Sequence, residues 1–258
     1  MKKIAALILS ATLLVTAFAG CGGSSSKNET SKKKYIIATD AKYAPFEYEK
    51  DGKYVGIDID LLDAISKLEG FQYELKPMDF KGIIPGIQAN QLDAAIAGIS
   101  ISDERKKILD FSDGYFQAGL SAVVKKDNDI ILTQEDLKGK SFAVKKGTLG
   151  SKYAEENKTK LGASVKYFDD SPSMFQEVIN GNSDVTFEDY PVIAYKLSLE
   201  NNSNLRIVGD RLYKDYYGFA VKKGTNKELV DMFNNGLKKL KDSGEYDKIL
   251  SKYIKNNR

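Results

Sequence analysis

From Tyr35 onward, short runs of β-branched and aromatic residues alternate with amphipathic helical patterns, and this alternation limits the possible folds more than any other feature. The runs YIIATD, FQYELK and DAAIAG have the composition of strands. Between the first two, residues 56–70 carry apolar side chains at helical spacing and end at Gly70, a residue that commonly terminates helices. Strands that alternate with helices predict α/β architecture with largely parallel sheets.

Further helices are predicted from capping residues. Ser102 is expected to cap a helix over SDERKKIL, where Asp103 and Glu104 suit the positive end of the helix dipole. Ser171 and Pro172 have the order of an N-cap followed by a first-turn proline. The other predicted helices are GIIPGIQANQ and residues 226–241 and 245–254.

The first 20 residues have the three parts of a secretory signal. Two lysines precede an apolar run that is shorter than the roughly 20 residues a spanning helix needs. The motif Phe18-Ala19-Gly20-Cys21 then resembles a bacterial lipobox, with Phe in place of the usual Leu. We therefore expect a lipoprotein signal peptide over 1–20 and a lipid such as palmitate on Cys21. The alternative is an ordinary buried cysteine in an uncleaved membrane anchor.

Residues 21–34 predict a flexible tether, because GGSSSKNETSKKK is too polar to form a core. A lipid on Cys21 would anchor the domain that follows at the extracytoplasmic face of the cell membrane or in the periplasm. Residues 35–258 contain 33 basic and 35 acidic side chains, a balance that argues against a nucleic-acid binder. The chain has no His and one Cys, so neither a zinc site nor an internal disulfide is expected, and no cofactor is predicted.

Five stretches of the sequence resemble one family in order and spacing. They are ATDAKYAPFEY, VGIDIDLLDAI, YELKPMDFKGIIPGIQ, DAAIAGISISDERKKILDFSDGYF and AVKKGTLGS. These stretches resemble the amino-acid-binding proteins of bacterial ABC importers (solute-binding protein family 3), and among them the glutamine-binding members. The resemblance extends over nearly all of residues 35–258. It implies a type II periplasmic-binding-protein fold, with two α/β lobes, two hinge strands and a ligand in the interlobe cleft.

The resemblance also implies the limits of the two lobes. Lobe one would comprise residues 35–116 and 217–258, and lobe two residues 119–213. The segments 115–119 and 213–217 are candidate crossings on the residues alone, because each leads into a new apolar strand.

The charged groups of a free amino acid must both be paired when they leave water, because an unpaired buried charge is very costly. Arg105 can grip a carboxylate with two parallel hydrogen bonds, supported by the N–H and hydroxyl of Ser100. A solvated arginine in the charge run DERKK is the alternative. Asp189 matches the family residue that receives the ammonium, and Pro191 makes it a candidate helix N-cap as well. The carbonyl of Gly98 is a second expected acceptor, and Ala97 beside it is also expected to bind the ligand.

Two further pairs are expected to contact the ligand's side chain. Tyr43 and Phe80 match the positions of the aromatic residues that sandwich its aliphatic part; ordinary core packing is the alternative. Asp40 would accept a hydrogen bond from a side-chain amide nitrogen and Lys145 would donate one to the amide oxygen. Lys146 is the alternative inward-facing lysine. A site of this kind rejects apolar ligands, which would leave both polar groups unsatisfied.

Two departures from the glutamine-binding pattern bear on specificity. Glu188 stands where that pattern has a His, and an inward-facing carboxylate would favour a cationic ligand. The loop GTLGS is one residue longer than expected, and its residues Thr148, Leu149 and Gly150 would supply backbone N–H groups to the ligand's carboxylate.

The sequence thus predicts a monomeric lipoprotein, and not an enzyme, that binds a polar amino acid, glutamine first, and delivers it to the permease and ATPase subunits of an ABC importer. A binder of a cationic amino acid in the same role is the nearest alternative. Other classes are a cyclic-acid dehydratase using Asp40 and Glu188 as acid and base, a receptor's ligand-sensing domain, and a surface adhesin. A sensor normally continues into a transmembrane segment, whereas this sequence stops at Arg258.

Overall fold

The structure is a computed structural model that describes residues 33–200 and 203–254. The predicted signal peptide (1–20), Cys21 and most of the predicted tether (21–34) lie outside the described residues. The first strand begins at Lys34, so regular structure starts one residue before the predicted boundary at Tyr35.

Within the described residues the chain forms fifteen strands, several of them only two or three residues long. They are β1 (Lys34–Thr39), β2 (Lys42–Tyr43), β3 (Glu47–Lys50), β4 (Lys53–Val55), β5 (Gln72–Pro77), β6 (Ala94–Ala95), β7 (Leu109–Phe111), β8 (Phe116–Gln117), β9 (Leu120–Lys125), β10 (Ser141–Lys145), β11 (Ser164–Phe168), β12 (Val185–Asp189), β13 (Leu205–Tyr213), β14 (Tyr216–Tyr217) and β15 (Ala220–Lys222).

Seven α-helices lie between or after these strands in the same described ranges. They are α1 (Ile57–Glu69), α2 (Phe80–Gln88), α3 (Leu149–Leu161), α4 (Ser171–Ile179), α5 (Tyr190–Leu199), α6 (Lys227–Asp242) and α7 (Glu245–Ser251). Two short 3₁₀ turns cover Arg105–Lys107 and Gln134–Leu137. None of the helices in the described ranges has the length and apolar content to cross a membrane.

Two five-stranded sheets form the cores of the two lobes. The first has the order β5-β1-β6-β15-β7, with β1 parallel to both β5 and β6. The second has the order β11-β10-β12-β9-β13, with β10 parallel to both β11 and β12. The remaining strands of each sheet pair antiparallel, so both sheets are mixed rather than largely parallel. The α/β class is confirmed, and the lobe limits given above stay a prediction.

The chain crosses between the sheets twice, in β8 and β14. The two strands pair antiparallel, with Tyr217 opposite Phe116. Both strands fall within the segments expected to be crossings. The chain therefore leaves the first sheet after β7 and returns to it at β15, which is the connectivity of two lobes joined by two strands.

Helix α1 shows how local sequence sets the fold of lobe one. Its apolar side chains Leu61, Leu62 and Ile65 are fully buried. The helix ends at Gly70 in the left-handed conformation (φ 70°), whose N–H donates to the carbonyl of Ser66. The glycine terminator predicted from the sequence is confirmed, whereas Leu68, which belongs to the same apolar pattern, is 48% exposed.

Several predicted elements differ from the structure. SDERKKIL forms one 3₁₀ turn rather than a helix, although the Ser102 hydroxyl does accept a hydrogen bond from the Arg105 N–H at 3.3 Å. Asp170, not Ser171, caps α4, because its carboxylate reaches the N–H of Ser173 at 2.8 Å. Helix α7 ends at Ser251, and DAAIAG contributes only the two residues of β6.

Candidate functional site

A small closed cavity lies between the two sheets, with free space of only about 10 Å³, roughly that of one water molecule. An amino acid therefore fits there only if side chains or lobes move. Nine of the residues expected to bind a ligand line it: Tyr43, Phe80, Gly98, Ser100, Arg105, Lys145, Thr148, Leu149 and Asp189.

Several of the residues expected to bind the ligand lie at the carboxyl ends of strands in both sheets. Asp40 follows β1 in lobe one, while Lys145 and Asp189 end β10 and β12 in lobe two. Thr148 caps α3 by accepting a hydrogen bond from the Ser151 N–H at 3.2 Å, so the N-terminus of α3 lies at the cavity. Ligands of open α/β sheets bind outside the carboxyl ends of the strands, and both lobes follow that rule.

Arg105 is buried, with 8% of its surface exposed. Its Nη1 donates to the carbonyl of Ser100 at 2.9 Å, and its Nη2 donates across the cleft to the carbonyl of Gly147 at 3.0 Å. Burial lowers the pKa of Arg105, and the charge of Asp189 opposes that shift. The alternative of a solvated arginine is therefore wrong. The expected helix dipole is also absent here, because Arg105 opens a three-residue 3₁₀ turn.

Asp189 occupies the N-cap position of α5, but its side chain makes no capping hydrogen bond. Its Oδ2 instead accepts hydrogen bonds from the hydroxyls of Tyr43 at 2.7 Å and Tyr217 at 2.6 Å. Burial raises the pKa of Asp189, while both tyrosines and Arg105 oppose the shift. The carboxylate is thus held towards the cleft rather than used to cap its helix.

Asp40 and Lys145 form a buried ion pair across the cleft, with 3% and 2% of their surfaces exposed. The Lys145 Nζ lies 4.5 Å from the ring centroid of Tyr43 and 5.3 Å from that of Phe80. Lys146 is exposed and pairs with Asp169 at 3.0 Å, so the inward-facing lysine is Lys145. The two groups expected to contact a side-chain amide are therefore paired with each other in this structure, and Asp40 reaches the cavity only through Lys145.

Gly98 has a positive φ of 54°, and a Cβ atom there would lie 2.7 Å from Cε1 of Tyr43. Only glycine therefore allows the Tyr43 ring to close over this part of the cavity. Two other expected site residues do not line it. Ala97 is fully buried in the core of lobe one, and Gly150 packs α3 against β12, where a Cβ atom would lie 2.5 Å from the carbonyl oxygen of Phe187.

Glu188 faces the protein interior, with 4% of its surface exposed. Its Oε1 accepts hydrogen bonds from the Asp189 N–H at 3.0 Å and from the Tyr43 hydroxyl at 3.3 Å. No donor of the described residues reaches its Oε2. Burial, followed by the charge of Asp189, raises the pKa of Glu188 to about 7, while Lys145 opposes the shift.

Tyr217 and Asp215 lie beside this site without lining the cavity, and they were not identified from the sequence. The Tyr217 hydroxyl lies 3.1 Å from that of Tyr43, in addition to its bond to Asp189. Asp215 is half-buried nearby, and burial followed by the charge of Asp189 raises its pKa to about 6. Both lie in the segment 213–217 that was expected to cross between lobes, which is the signal that could have drawn attention to them.

Exposed ion pairs join the two lobes around the cavity. Lys42 pairs with Asp170 at 3.1 Å, Lys81 pairs with Asp169 at 2.7 Å, and Lys152 pairs with Glu104. Together with the buried contacts they show that the lobes are closed over the cavity. Across residues 33–200 and 203–254, no group of three or more acidic or cysteine side chains is arranged to hold a metal ion.

Two α/β lobes, two connecting strands and a small cavity lined by charged groups from both lobes define a type II periplasmic binding protein. The model of the bacterial extracellular solute-binding proteins, family 3, matches residues 35–256. The chain belongs to this family, and it is a solute-binding protein.

Curated relatives and solved structures agree with this assignment. The arginine-binding extracellular protein ArtP of Bacillus subtilis is 33% identical over 251 residues, covering 96% of each chain. The ABC transporter glutamine-binding protein GlnH of the same organism is 32% identical, covering 99% of this chain and 98% of its own. The solved structure of an ancestral arginine-binding protein bound to arginine has a TM-score of 0.80 and 42% identity, covering 86% of this chain and 98% of that one.

Proposed function

We propose that this chain is the amino-acid-binding component of an ABC importer and that its ligand is glutamine. The observation that carries the proposal is the cavity to which lobe one contributes Arg105 and lobe two contributes Asp189. A buried cation and a buried anion at one small cavity match the two charges of an amino-acid zwitterion. The relatives named for amino-acid binding support the same class of ligand.

The carboxylate of the ligand binds Arg105. Two of the five guanidinium N–H groups donate to the carbonyls of Ser100 and Gly147, and the remaining ones, which have no other acceptor in the described part of the chain, are proposed to bind the ligand. The N-terminus of α3 adds the backbone N–H of Leu149 at the same cavity, whereas the Thr148 N–H, which was also expected to bind the ligand, donates to the carbonyl of Lys145 at 3.4 Å. An anion placed there is stabilised by a charge-assisted hydrogen bond and by the helix dipole together.

The ammonium binds Asp189 and the carbonyl of Gly98. Tyr43 and Tyr217 orient the Asp189 carboxylate through hydrogen bonds to one of its oxygens, which leaves the other oxygen for the ligand. Since Arg105 and Asp189 come from different lobes, a ligand that bridges them stabilises the closed form.

The side chain of glutamine is recognised by Asp40 and Lys145. The buried ion pair opens so that Lys145 donates to the amide oxygen and Asp40 accepts from the amide nitrogen. A neutral amide can satisfy both groups, while a cationic side chain would meet the fixed charge of Lys145 between the rings of Tyr43 and Phe80. A site built to hydrogen-bond both ends of an amide discriminates strongly against ligands that lack it.

A cationic amino acid is the second candidate, because Glu188 supports it. This buried carboxylate lies beside Tyr43 and has one oxygen without a donor among the described residues. Once ionised, it would add negative charge near the ligand's side chain. The Bacillus subtilis relative named for arginine and the ancestral protein bound to arginine support this alternative.

Isothermal titration with glutamine, arginine, lysine, histidine and glutamate tests both candidates. The proposal expects the tightest binding with glutamine and an affinity for arginine at least about tenfold weaker, which is 1.4 kcal/mol. The reverse order would establish the second candidate. No heat with any of these amino acids would contradict amino-acid binding itself.

The location and partners follow from the same proposal. We propose that residues 1–20 are removed as a signal peptide and that Cys21 carries a lipid. Lobe one (35–116 and 217–258) and lobe two (119–213) then form a monomer outside the cytoplasm. This monomer delivers its ligand to the permease and ATPase subunits. Fractionation of cells that express the wild type and Cys21→Ser tests the anchor. The wild type should sediment with membranes and Cys21→Ser should be released, whereas equal distribution would contradict lipidation.

A further inference from the structure

A buried pair of acidic residues in lobe one, Glu47 and Asp58, has no part in the ligand contacts described above. Both residues are 0% exposed. Glu47 begins β3 and lies opposite Tyr43 of β2, while Asp58 lies in the first turn of α1. Two carboxyl groups removed from water are unfavourable unless they are neutralised or paired.

The fold brings these two carboxyl groups together through the start of α1. The Asp58 N–H donates to the carbonyl of Phe46 at 2.9 Å, which places Asp58 beside the residue that follows Phe46 in the chain. Gly56 makes this approach possible, because a Cβ atom there would lie 2.0 Å from the same carbonyl oxygen. Its φ of 137° also favours glycine.

Asp58 is hydrogen-bonded both to a residue that lines the cavity and to a residue beside one of the strands that cross between the lobes. Its Oδ2 accepts hydrogen bonds from the N–H of Gly98 at 2.9 Å and from the hydroxyl of Tyr115 at 2.7 Å. Gly98 lines the cavity, and Tyr115 directly precedes β8. The Tyr115 carbonyl in turn accepts a hydrogen bond from the Tyr246 hydroxyl at 2.6 Å.

The other three carboxyl oxygens of the pair have no donor from the described part of the chain. They are both oxygens of Glu47 and the Oδ1 of Asp58. The two side chains are close enough for each to shift the pKa of the other, in keeping with the backbone contact between Asp58 and Phe46. Two ionised carboxylates so close would repel strongly, whereas one proton between them gives a donor and an acceptor.

We propose that Glu47 and Asp58 share one proton in the folded protein, and that this pair is a positioning unit that holds the backbone of Gly98 for the ligand. The part of this inference that concerns ligand affinity rests on the proposed function. The shared proton itself does not.

The surrounding groups decide which carboxyl holds the proton. Burial, then the charges of Asp58 and Asp40, raise the pKa of Glu47 well above its usual range, while Lys145 opposes the shift. Burial raises the pKa of Asp58 to about 6, and its bonds from Gly98, Tyr115 and Glu47 oppose that shift. Because burial and two neighbouring charges act on Glu47, whereas three hydrogen bonds favour ionised Asp58, the proposal places the proton on Glu47 and the charge on Asp58. The phenols of Tyr115 and Tyr246 also face Asp58, and both remain protonated.

The shared proton is tested by unfolding the ligand-free protein in urea between about pH 6.5 and pH 8, above the pKa of about 6 of Asp58. The proposal requires folded Glu47 to keep its proton over this range, whereas unfolded Glu47 releases its proton above its ordinary pKa. The unfolding constant of the wild type, divided by that of Glu47→Gln, should therefore rise up to about tenfold per pH unit. Glu49→Gln makes the same change at an exposed position of the same strand, and its ratio should stay constant.

The positioning role is tested by glutamine titration of the wild type, Glu47→Gln and Glu47→Ala. The side-chain amide of the Glu47→Gln variant can still donate a hydrogen bond to Asp58, so the Kd of this variant for glutamine should stay within about threefold of the wild type. Ala leaves Asp58 buried without that donor, so Kd should rise about tenfold or more. Rescue by Gln separates positioning from a general loss of stability.

Each experiment tests one part of the proposal independently of the other. An unfolding ratio for Glu47→Gln that stays constant with pH overturns the shared proton, and equal Kd values for Glu47→Gln and Glu47→Ala overturn the positioning role. If the wild type binds no amino acid, the proposed function and the positioning role are both overturned. The unfolding experiment still reports on the shared proton in that case.

Discussion

The two ends of the cavity are built in different ways. The α-end is the end of the cavity proposed to bind the ligand's ammonium and carboxylate. There Arg105 is oriented by hydrogen bonds to backbone carbonyls and Asp189 by a hydrogen bond from Tyr217, so neither charge is paired directly with the other. At the side-chain end, the end proposed to bind the ligand's side chain, Lys145 lines the cavity and is paired directly with Asp40, and a second anion, Glu188, lies close by.

This difference indicates where common and specific recognition reside. Groups that are oriented in advance pay little reorganisation when a ligand arrives, so the α-end suits the zwitterion that all amino acids share. The side-chain end must exchange an internal ion pair for contacts with the ligand. Only a side chain that replaces both halves of the pair can do so without leaving a buried charge unpaired, so selectivity should reside at this end.

The largest effect is expected at the α-end, from Arg105→Ala. The ligand carboxylate would lose its buried counter-charge, a change worth roughly 2–5 kcal/mol, so the Kd for every amino acid that binds should rise about 30-fold or more. Titration calorimetry measures it. Lys106→Ala, an exposed neighbour, is the matched control, and an equal loss in the two variants would contradict the assignment.

The next effect is expected at the side-chain end, from Lys145→Met. The amide oxygen of glutamine would lose its donor and Asp40 its buried partner, so the Kd for glutamine should rise about tenfold or more. The Kd for arginine should stay level or fall, because the variant removes the charge repulsion between Lys145 and the arginine side chain. Lys146→Met serves as the control, and unchanged glutamine affinity in Lys145→Met would refute the role of this lysine.

Glu188 should make selectivity depend on pH. Its pKa is raised to about 7, so the side chain is largely neutral at pH 6 and ionised at pH 8. The ratio of arginine affinity to glutamine affinity should therefore increase several-fold, on the order of 1 kcal/mol, from pH 6 to pH 8. Glu188→Gln should abolish this increase and the exposed Glu200→Gln should retain it. Identical pH profiles for the wild type and Glu188→Gln would show that Glu188 has no part in selectivity.

The smallest effect is expected at the exposed ion pairs between the lobes. Lys152→Ala removes the pair with Glu104, and exposed pairs contribute roughly 0.2–1 kcal/mol, so Kd should change by less than about fivefold. The difference should shrink further at about 0.5 M salt, because exposed charges are screened. A large loss that persists at high salt would mean that this pair stabilises the closed form far more than its exposure allows.

The α/β class and the residues at the cavity could be predicted because they rest on local patterns and on five motifs with the spacing of a family. The 3₁₀ turn at Arg105 could not be read in the same way. In SDERKKIL only Arg105 and Leu109 are buried, so the segment has no apolar face to stabilise a full helix. The cap provided by Ser102 was therefore not sufficient to form the predicted helix.

Other features depend on contacts between distant parts of the chain. Tyr217 meets Tyr43 and Asp189 only after the crossing strands pair, and no local pattern marks a tyrosine as a partner of a carboxylate. Gly150 was predicted to be a backbone donor to the ligand's carboxylate, and its close approach to Phe187 became visible only in the structure. The Asp40–Lys145 pair likewise required both lobes.

The most direct measurement uses ligands from which one charge has been deleted. Glutaramic acid is glutamine without the ammonium, and 4-aminobutanamide is glutamine without the carboxylate. If Arg105 and Asp189 each hold one charge, Arg105→Ala should weaken glutamine and glutaramic acid about 30-fold or more but leave 4-aminobutanamide nearly unchanged, and Asp189→Asn should show the opposite pattern for the two analogues. Equal losses for all three ligands in either variant would contradict a cavity whose two lobes each bind one charge of an amino acid.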